Sequence, residues 1–168
     1  MLRLRPLRAD DEAAFRAGHA AMAAEGHVFG LGYSADMAWD VYLKAREDHR
    51  AGRGVRGRFV PSTFLVAEVN GEIVGRTSIR HQLNEFLLRE GGHIGYSVLP
   101  AHRRRGYATE ILRQSLIIAR SIGIDRVLVT CDNDNAGSIK AIEANGGKLD
   151  SVIVLETFPA GVRRYWID

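Results

Sequence analysis

The stretch GGHIGYSVLPAHRRRGYAT, residues Gly91 to Thr109, decides how the rest of the chain is read. Ile94, Tyr96 and Val98 alternate with His93, Gly95 and Ser97, which is the period of a strand. Pro100 has no backbone donor and ends the ladder. From Ala108 the apolar and small residues Ile111, Leu112, Ser115, Ala119 and Ile122 return at helical spacing, so a helix opens at about Gly106. A helix N-terminus leaves its first N–H groups unpaired and carries partial positive charge, which makes it an anion site. Arg103, Arg104 and Arg105 stand directly ahead of it, and Gly106 allows a ligand to approach the backbone closely. The physical expectation is a pyrophosphate cradle of neither common kind, since GxxxxGK[ST] and GxGxxG are both absent. An arginine run alone also reads as a solvated turn or a nucleic-acid patch, and it is the strand–loop–helix setting that favours the cradle.

Outward from this stretch, the elements follow from local chemistry. Leu2, Leu4 and Leu7 suggest a first edge strand. Asp10 or Asp11 can cap a helix running to about Ala24. Gly26–Tyr33, with three glycines, predicts a loop. A second helix is expected from Ser34 or Asp36 to His49, with Met37, Val41 and Ala45 on one face. Arg50 to Phe59 reads as a mobile linker. Asn70-Gly71 between the alternating runs Ser62–Val69 and Glu72–Ile79 is a strong hairpin signal, because both turn residues need positive φ. The next strand, Gly92–Leu99, is expected antiparallel to that hairpin. Arg126–Cys131 should be a buried strand reached by a right-handed helical crossover, hence parallel to its predecessor. A helix opening near Asn135 should stop at Asn145-Gly146-Gly147. Leu149–Thr157 and Arg163–Ile167 close the chain as a hairpin turning at Phe158-Pro159-Ala160-Gly161.

At 168 residues, with 46% apolar and 26% charged residues, the chain is expected to be one globular domain over residues 1–168. The formal charge of +3 suits an anionic small ligand and does not by itself require nucleic acid. One cysteine, Cys131, excludes an internal disulfide and a thiolate metal cluster. With no membrane-length apolar run and no signal-peptide core near residue 1, a cytoplasmic location is expected.

Arg103-Arg104-Arg105-Gly106-Tyr107-Ala108 resembles the (Q/R)xxGx(G/A) motif of the GNAT superfamily of acyl-CoA-dependent N-acyltransferases, and IGYSVLP resembles the strand before it. The resemblance runs from about Ser62 to the end and loosely includes the first two helices. It implies a mixed α/β (α+β) fold with a mainly antiparallel, splayed sheet flanked by helices. It implies acetyl-CoA as cosubstrate, with no metal, and an amine as acceptor. Val98 would offer its main chain to pantetheine, while Arg103, Arg104, Arg105, Gly106, Tyr107, Ala108 and Thr109 would cradle the phosphates. A second match, NxxSxxxxExxG from Asn135 to Gly146, implies that Asn135 and Ser138 lie against the cofactor. In many relatives a tyrosine on this helix protonates the departing thiolate. Here Ile142 or Ala141 takes its place, as in the ribosomal-protein N-terminal acetyltransferase branch, which this helix resembles more closely.

A thiol titrates near pH 8.5, so CoA can leave as a thiolate. An acceptor ammonium near 10.4 must lose a proton before it attacks. A base is therefore the greater need, with His93 the first candidate, Glu85 and Glu90 next, and Tyr96 either an acid or a core residue. His81 and Asn84 are acceptor-binding candidates, as are Phe29, Tyr33, Trp39 and Tyr42, which suit core packing as well. Membrane and nucleic-acid partners are not expected, and a homodimer is compatible with the sequence. The rival classes are a non-catalytic acyl-CoA-binding regulatory domain and a nucleic-acid binder using AGRGVRGRF.

Overall fold

A computed structural model describes all 168 residues. One seven-stranded sheet runs through the molecule in the order β1-β2-β3-β4-β5-β7-β6. Its strands are β1 (Arg3–Arg5), β2 (Ser62–Val69), β3 (Glu72–Arg80), β4 (Ile94–Val98), β5 (Val127–Asp132), β6 (Lys148–Leu155) and β7 (Phe158–Ile167). Only β4 and β5 are parallel neighbours, and every other pair is antiparallel. Helices α1 (Glu12–Ala23) and α2 (Trp39–Arg50) precede β2, α3 (Tyr107–Ser121) is the crossover from β4 to β5, and α4 (Ala136–Ala144) follows β5. The splayed, mainly antiparallel sheet is therefore the one the sequence implied.

The helices pack on opposite faces. Under α3 and α4 lie Ile79, Ile94, Leu112, Leu116, Val129, Ile142 and Tyr165, all buried. Under α1 and α2 lie Phe15, Phe29, Trp39, Tyr42, Phe64 and Leu99. Phe15 stands at the centre of the second cluster, with ring centroids of Phe29, Tyr33, Trp39 and Tyr42 between 5.1 and 5.6 Å away. Such rings contribute contact geometry as well as buried area. At the β1 edge, the guanidinium of Arg5 is buried between the carboxylates of Asp11 and Glu68 and ties β1 and the α1 entrance to β2.

The Asn70-Gly71 turn takes φ of 51° and 84°, as its hairpin requires. Other expectations need correction. The second helix begins at Trp39, because residues 34–37 close a turn of their own and the first helical bond runs from Tyr42 to Ala38. Its buried face carries Trp39 and Tyr42, while Val41 is exposed. Arg50 to Phe59 is no free linker. Arg50 and Arg53 pair with Glu47 and Asp48, and the Arg58 carbonyl accepts from Asn84. The last hairpin turns at Glu156-Thr157, and Phe158-Pro159-Ala160-Gly161 belongs to β7. Pro159 is tolerated there because β5 stops pairing at Asp132 with Val162, so no ladder bond is lost on that side.

The positions of β4 and β5 matter most for function. At Gly92 (φ 64°) an added Cβ would stand 2.6 Å from the Leu128 carbonyl oxygen, so only glycine lets the chain come this close to β5. His93 N–H donates to Leu128 O and the Leu128 N–H donates to His93 Nδ1. One residue further, Ile94 opposite Val129 is the only paired position. Beyond it the two strands part, so the apex of the wedge lies at residues 92–94 and its open end at residues 95–98.

Candidate active site

The wedge opens into a cavity of about 750 Å³ lined by β4, the loop after it, the start of α3 and the start of α4. Two sets of backbone groups without strand or helix partners face it. Leu99 N–H bonds Val74 O on the β3 side, so strand alternation directs the main-chain groups of Tyr96 and Val98 toward the gap, where β5 no longer answers. At the mouth, the amides of Arg104, Arg105, Gly106, Tyr107, Ala108 and Thr109 have no hydrogen-bond acceptor, and Glu110 is the first to find one, on Gly106 O. Arg104 (φ 64°) and Gly106 (φ 78°) both take the left-handed conformation, which turns successive amides into a concave anion nest. Nothing lies within 4 Å of a Cβ built on Gly106, so the conformation rather than crowding demands glycine.

The side chains divide unevenly. Arg104 lines the cavity together with Gly106, Tyr107, Ala108 and Thr109. Arg103 also borders it, but its guanidinium turns to the Glu25 carboxylate at the end of α1, 2.7 Å away, and to Val98 O. Arg105 is exposed and reaches only the Ala101 carbonyl, so its amide faces the nest and its side chain does not. Asn135 caps α4 by accepting from Ser138 N–H, and both residues line the cavity. Lys140 and Arg76 also line it, and neither was singled out in the sequence.

Three buried side-chain polar atoms have no hydrogen-bond partner: Tyr96 Oη, Ser97 Oγ and Arg46 Nε. All three residues border cavities. Buried polar groups are nearly always paired, so orphans gathered in this way mark positions where a ligand can complete the bonding. The Tyr96 hydroxyl lies beside Ser138 without closing a bond to it. Burial pushes its pKa up to about 12, so it stays protonated at neutral pH. Burial first, and Asp134 second, raise the Asp132 carboxyl on the same cavity.

A second cavity, of about 400 Å³, sits on the α1–α2 face of the sheet. Along β3, alternate side chains Arg76, Ser78 and Arg80 share that face, with Arg76 on the first cavity and the other two on the second. The Arg76 guanidinium is bonded to the carbonyls of Val28, Phe29 and Gly95. Burial, then Arg80, push its pKa down to about 10, so it remains charged. His49 reaches the second cavity from α2, with Nδ1 2.9 Å from Ser62 Oγ. Burial, then Arg46 and His81, lower its pKa, so the ring is neutral at pH 7.

The expected bases are not brought to either cavity. His93 is 7% exposed, its Nδ1 holds the Leu128 amide, and burial followed by Arg80 lowers its pKa. Its imidazole bridges the apex of the wedge. Glu85 is exposed on the turn after Asn84, and Glu90 packs behind β5 with its carbonyl on Thr130 Oγ1. His81 bonds Thr63, and Asn84 bonds the Arg58 carbonyl and the Leu87 amide. Phe29, Trp39 and Tyr42 are core residues.

With this geometry in place, comparison with known proteins agrees on one class. The acetyltransferase (GNAT) domain family matches residues 1–148. A curated relative, the uncharacterized N-acetyltransferase YjdG of Bacillus subtilis, is 31% identical over 123 residues, covering 69% of this chain and 70% of its own. RimJ of Mycobacterium smegmatis, solved in complex with CoA-disulfide, superposes with a TM-score of 0.69 at 21% identity, over 99% of this chain and 81% of RimJ. YncA of Salmonella typhimurium, a putative acetyltransferase solved with its cofactor acetyl-CoA, does so at 0.65 and 18%, over 98% and 91%. The chain belongs to the GNAT acetyltransferase family.

Proposed function

We propose that residues 1–168 form a single acetyl-CoA-dependent N-acetyltransferase domain that transfers an acetyl group to an amine by direct attack on the thioester. The observation that carries this reading is the row of six free amides, Arg104 to Thr109, at the mouth of a wedge whose β4 edge has no strand partner beyond Ile94. A diphosphate satisfies the first set, and a pantetheine arm with its amide groups satisfies the second. RimJ with CoA-disulfide and YncA with acetyl-CoA lend support, since the same fold holds these molecules there.

In this arrangement Arg104 and Lys140 add positive charge to the cradle, and Asn135 and Ser138 flank the arm. A backbone N–H of β4 near Val98 polarises the thioester carbonyl as the amine attacks. The attack forms the C–N bond and breaks the C–S bond. Tyr96, protonated and unpartnered, donates a proton to the departing sulfur in the role that the tyrosine missing from α4 plays in many relatives. The ammonium proton passes to His49, the one imidazole on the second cavity, before attack, and the second nitrogen proton, lost as the amide forms, restores the Tyr96 phenol.

The alternative, a domain that binds acyl-CoA and turns nothing over, differs in one measurable way. Thiol release from acetyl-CoA in the presence of a panel of amines should exceed the rate without amine. Tyr96→Phe should lower kcat by about tenfold, a modest factor because a CoA thiolate leaves readily by itself. Tight acetyl-CoA binding with no amine-dependent thiol release would favour the non-catalytic reading.

A further inference from the structure

The second cavity carries positive charge that nothing in the protein neutralises. Three arginines, Arg46, Arg58 and Arg80, line it, and none of them forms an ion pair. Elsewhere arginines do find carboxylates, among them Arg3, Arg5, Arg16, Arg50, Arg53, Arg103, Arg113 and Arg164. Arg8, Arg56, Arg104, Arg105 and Arg163 also lack a carboxylate partner, so what marks this cavity is that three such arginines, Arg46, Arg58 and Arg80, converge on it. No acidic side chain lines the cavity.

Each arginine is also held in place. Arg80 is pinned to the carbonyls of Gly91 and Gly92. Arg46 lies over the Tyr42 ring at 5.3 Å, and its buried Nε has no partner. Arg58 sits 5.7 Å from the Phe59 ring and 5.9 Å from the Phe86 ring, both partly exposed at the rim. Neutral carbonyls and aromatic faces orient a guanidinium without cancelling its charge. Arg46 and Arg80 are half-buried and Arg58 stands exposed at the rim, so an anion that enters gains most from the two enclosed cations.

We infer that the second cavity binds the carboxylate of a small amine, so that the acceptor is an amino-acid-like molecule rather than a polycation. The inference rests on the N-acetyltransferase reading above and names the acceptor class for it. A volume of about 400 Å³ suits a small molecule, and the Phe59 and Phe86 rim provides apolar contact for its side chain. The same charge favours the reaction, because nearby cations and desolvation lower the pKa of the acceptor's ammonium toward that of a neutral imidazole.

The test is calorimetric titration of the CoA-loaded protein with L-phenylalanine, L-leucine, phenethylamine and spermidine. Phenethylamine is phenylalanine without its carboxylate. At least one of the two amino acids should bind, with phenylalanine about tenfold or more tighter than phenethylamine, and spermidine should not bind. In the double variant Arg46→Gln, Arg58→Gln that preference should collapse toward one while acetyl-CoA affinity is unchanged, which also verifies folding. Phenethylamine or spermidine binding as tightly as the amino acids, or neither amino acid binding, overturns the inference. If acetyl-CoA binds in those cases, the acetyltransferase reading survives alone. If acetyl-CoA itself does not bind, both fall.

Discussion

Gly106→Glu is expected to reduce acetyl-CoA affinity by at least about a hundredfold in calorimetric titration, whereas Gly106→Asn should cost no more than about tenfold. The two variants share one effect and differ in another. At φ 78° any side chain pays for the left-handed conformation, about 1–2 kcal/mol in general and less for asparagine. Space is not an issue, since a Cβ there meets nothing. What glutamate adds is a negative charge among the amides that would hold the diphosphate, and that repulsion falls on the ligand alone. Equal, small losses in both variants would mean that the nest is not where the phosphates bind.

His49→Gln is expected to lower kcat by about a hundredfold or more with acetyl-CoA affinity unchanged. Glutamine keeps the shape and a hydrogen bond to Ser62 but cannot take up a proton at this pH. The pH profile gives a second readout. Activity needs the neutral ring, and burial with Arg46 and His81 lowers the His49 pKa below 6.5, so kcat/KM should fall as pH drops below that value. The acidic limb should be absent from the residual activity of the variant. Retained activity in His49→Gln together with its loss in Asp132→Asn would move the base to the first cavity, where burial raises the Asp132 carboxyl.

What could be seen in the sequence was what is decided over short distances. Asn70-Gly71 fixes its hairpin by the φ values its two residues accept, and the strand–loop–helix from Ile94 to Ser121 declares itself by a change of period around Pro100 and Gly106. Turn position was harder. Pro159 and Gly161 look like a hairpin loop, but β5 pairing ends at Val162 and leaves them as the outer part of β7. Side-chain depth was also hidden. His93 could be placed on the strand before the loop, but the contact of Gly92 with Leu128 that buries its ring is tertiary.

The second cavity was the least legible part. Arg46 comes from α2, Arg58 from the glycine-rich loop and Arg80 from the end of β3. In sequence each looks like an ordinary surface charge. Their convergence without a carboxylate appears only when three distant segments meet. Arg76 carried a faint signal, as a charge inside an otherwise apolar-alternating strand, yet its carbonyl partners on Val28, Phe29 and Gly95 lie far away in the chain.

The claim on which the functional reading depends is that CoA lies in the β4–β5 wedge with its diphosphate on the amides of residues 104–109. Amide NMR of the nitrogen-labelled protein titrated with CoA tests it residue by residue. A bound diphosphate and arm predict saturable shifts at one equivalent, largest at Arg104 to Thr109 and extending to Tyr96 and Val98. If those amides stay still while others respond, or if nothing moves at saturating CoA, the wedge is not the cofactor site.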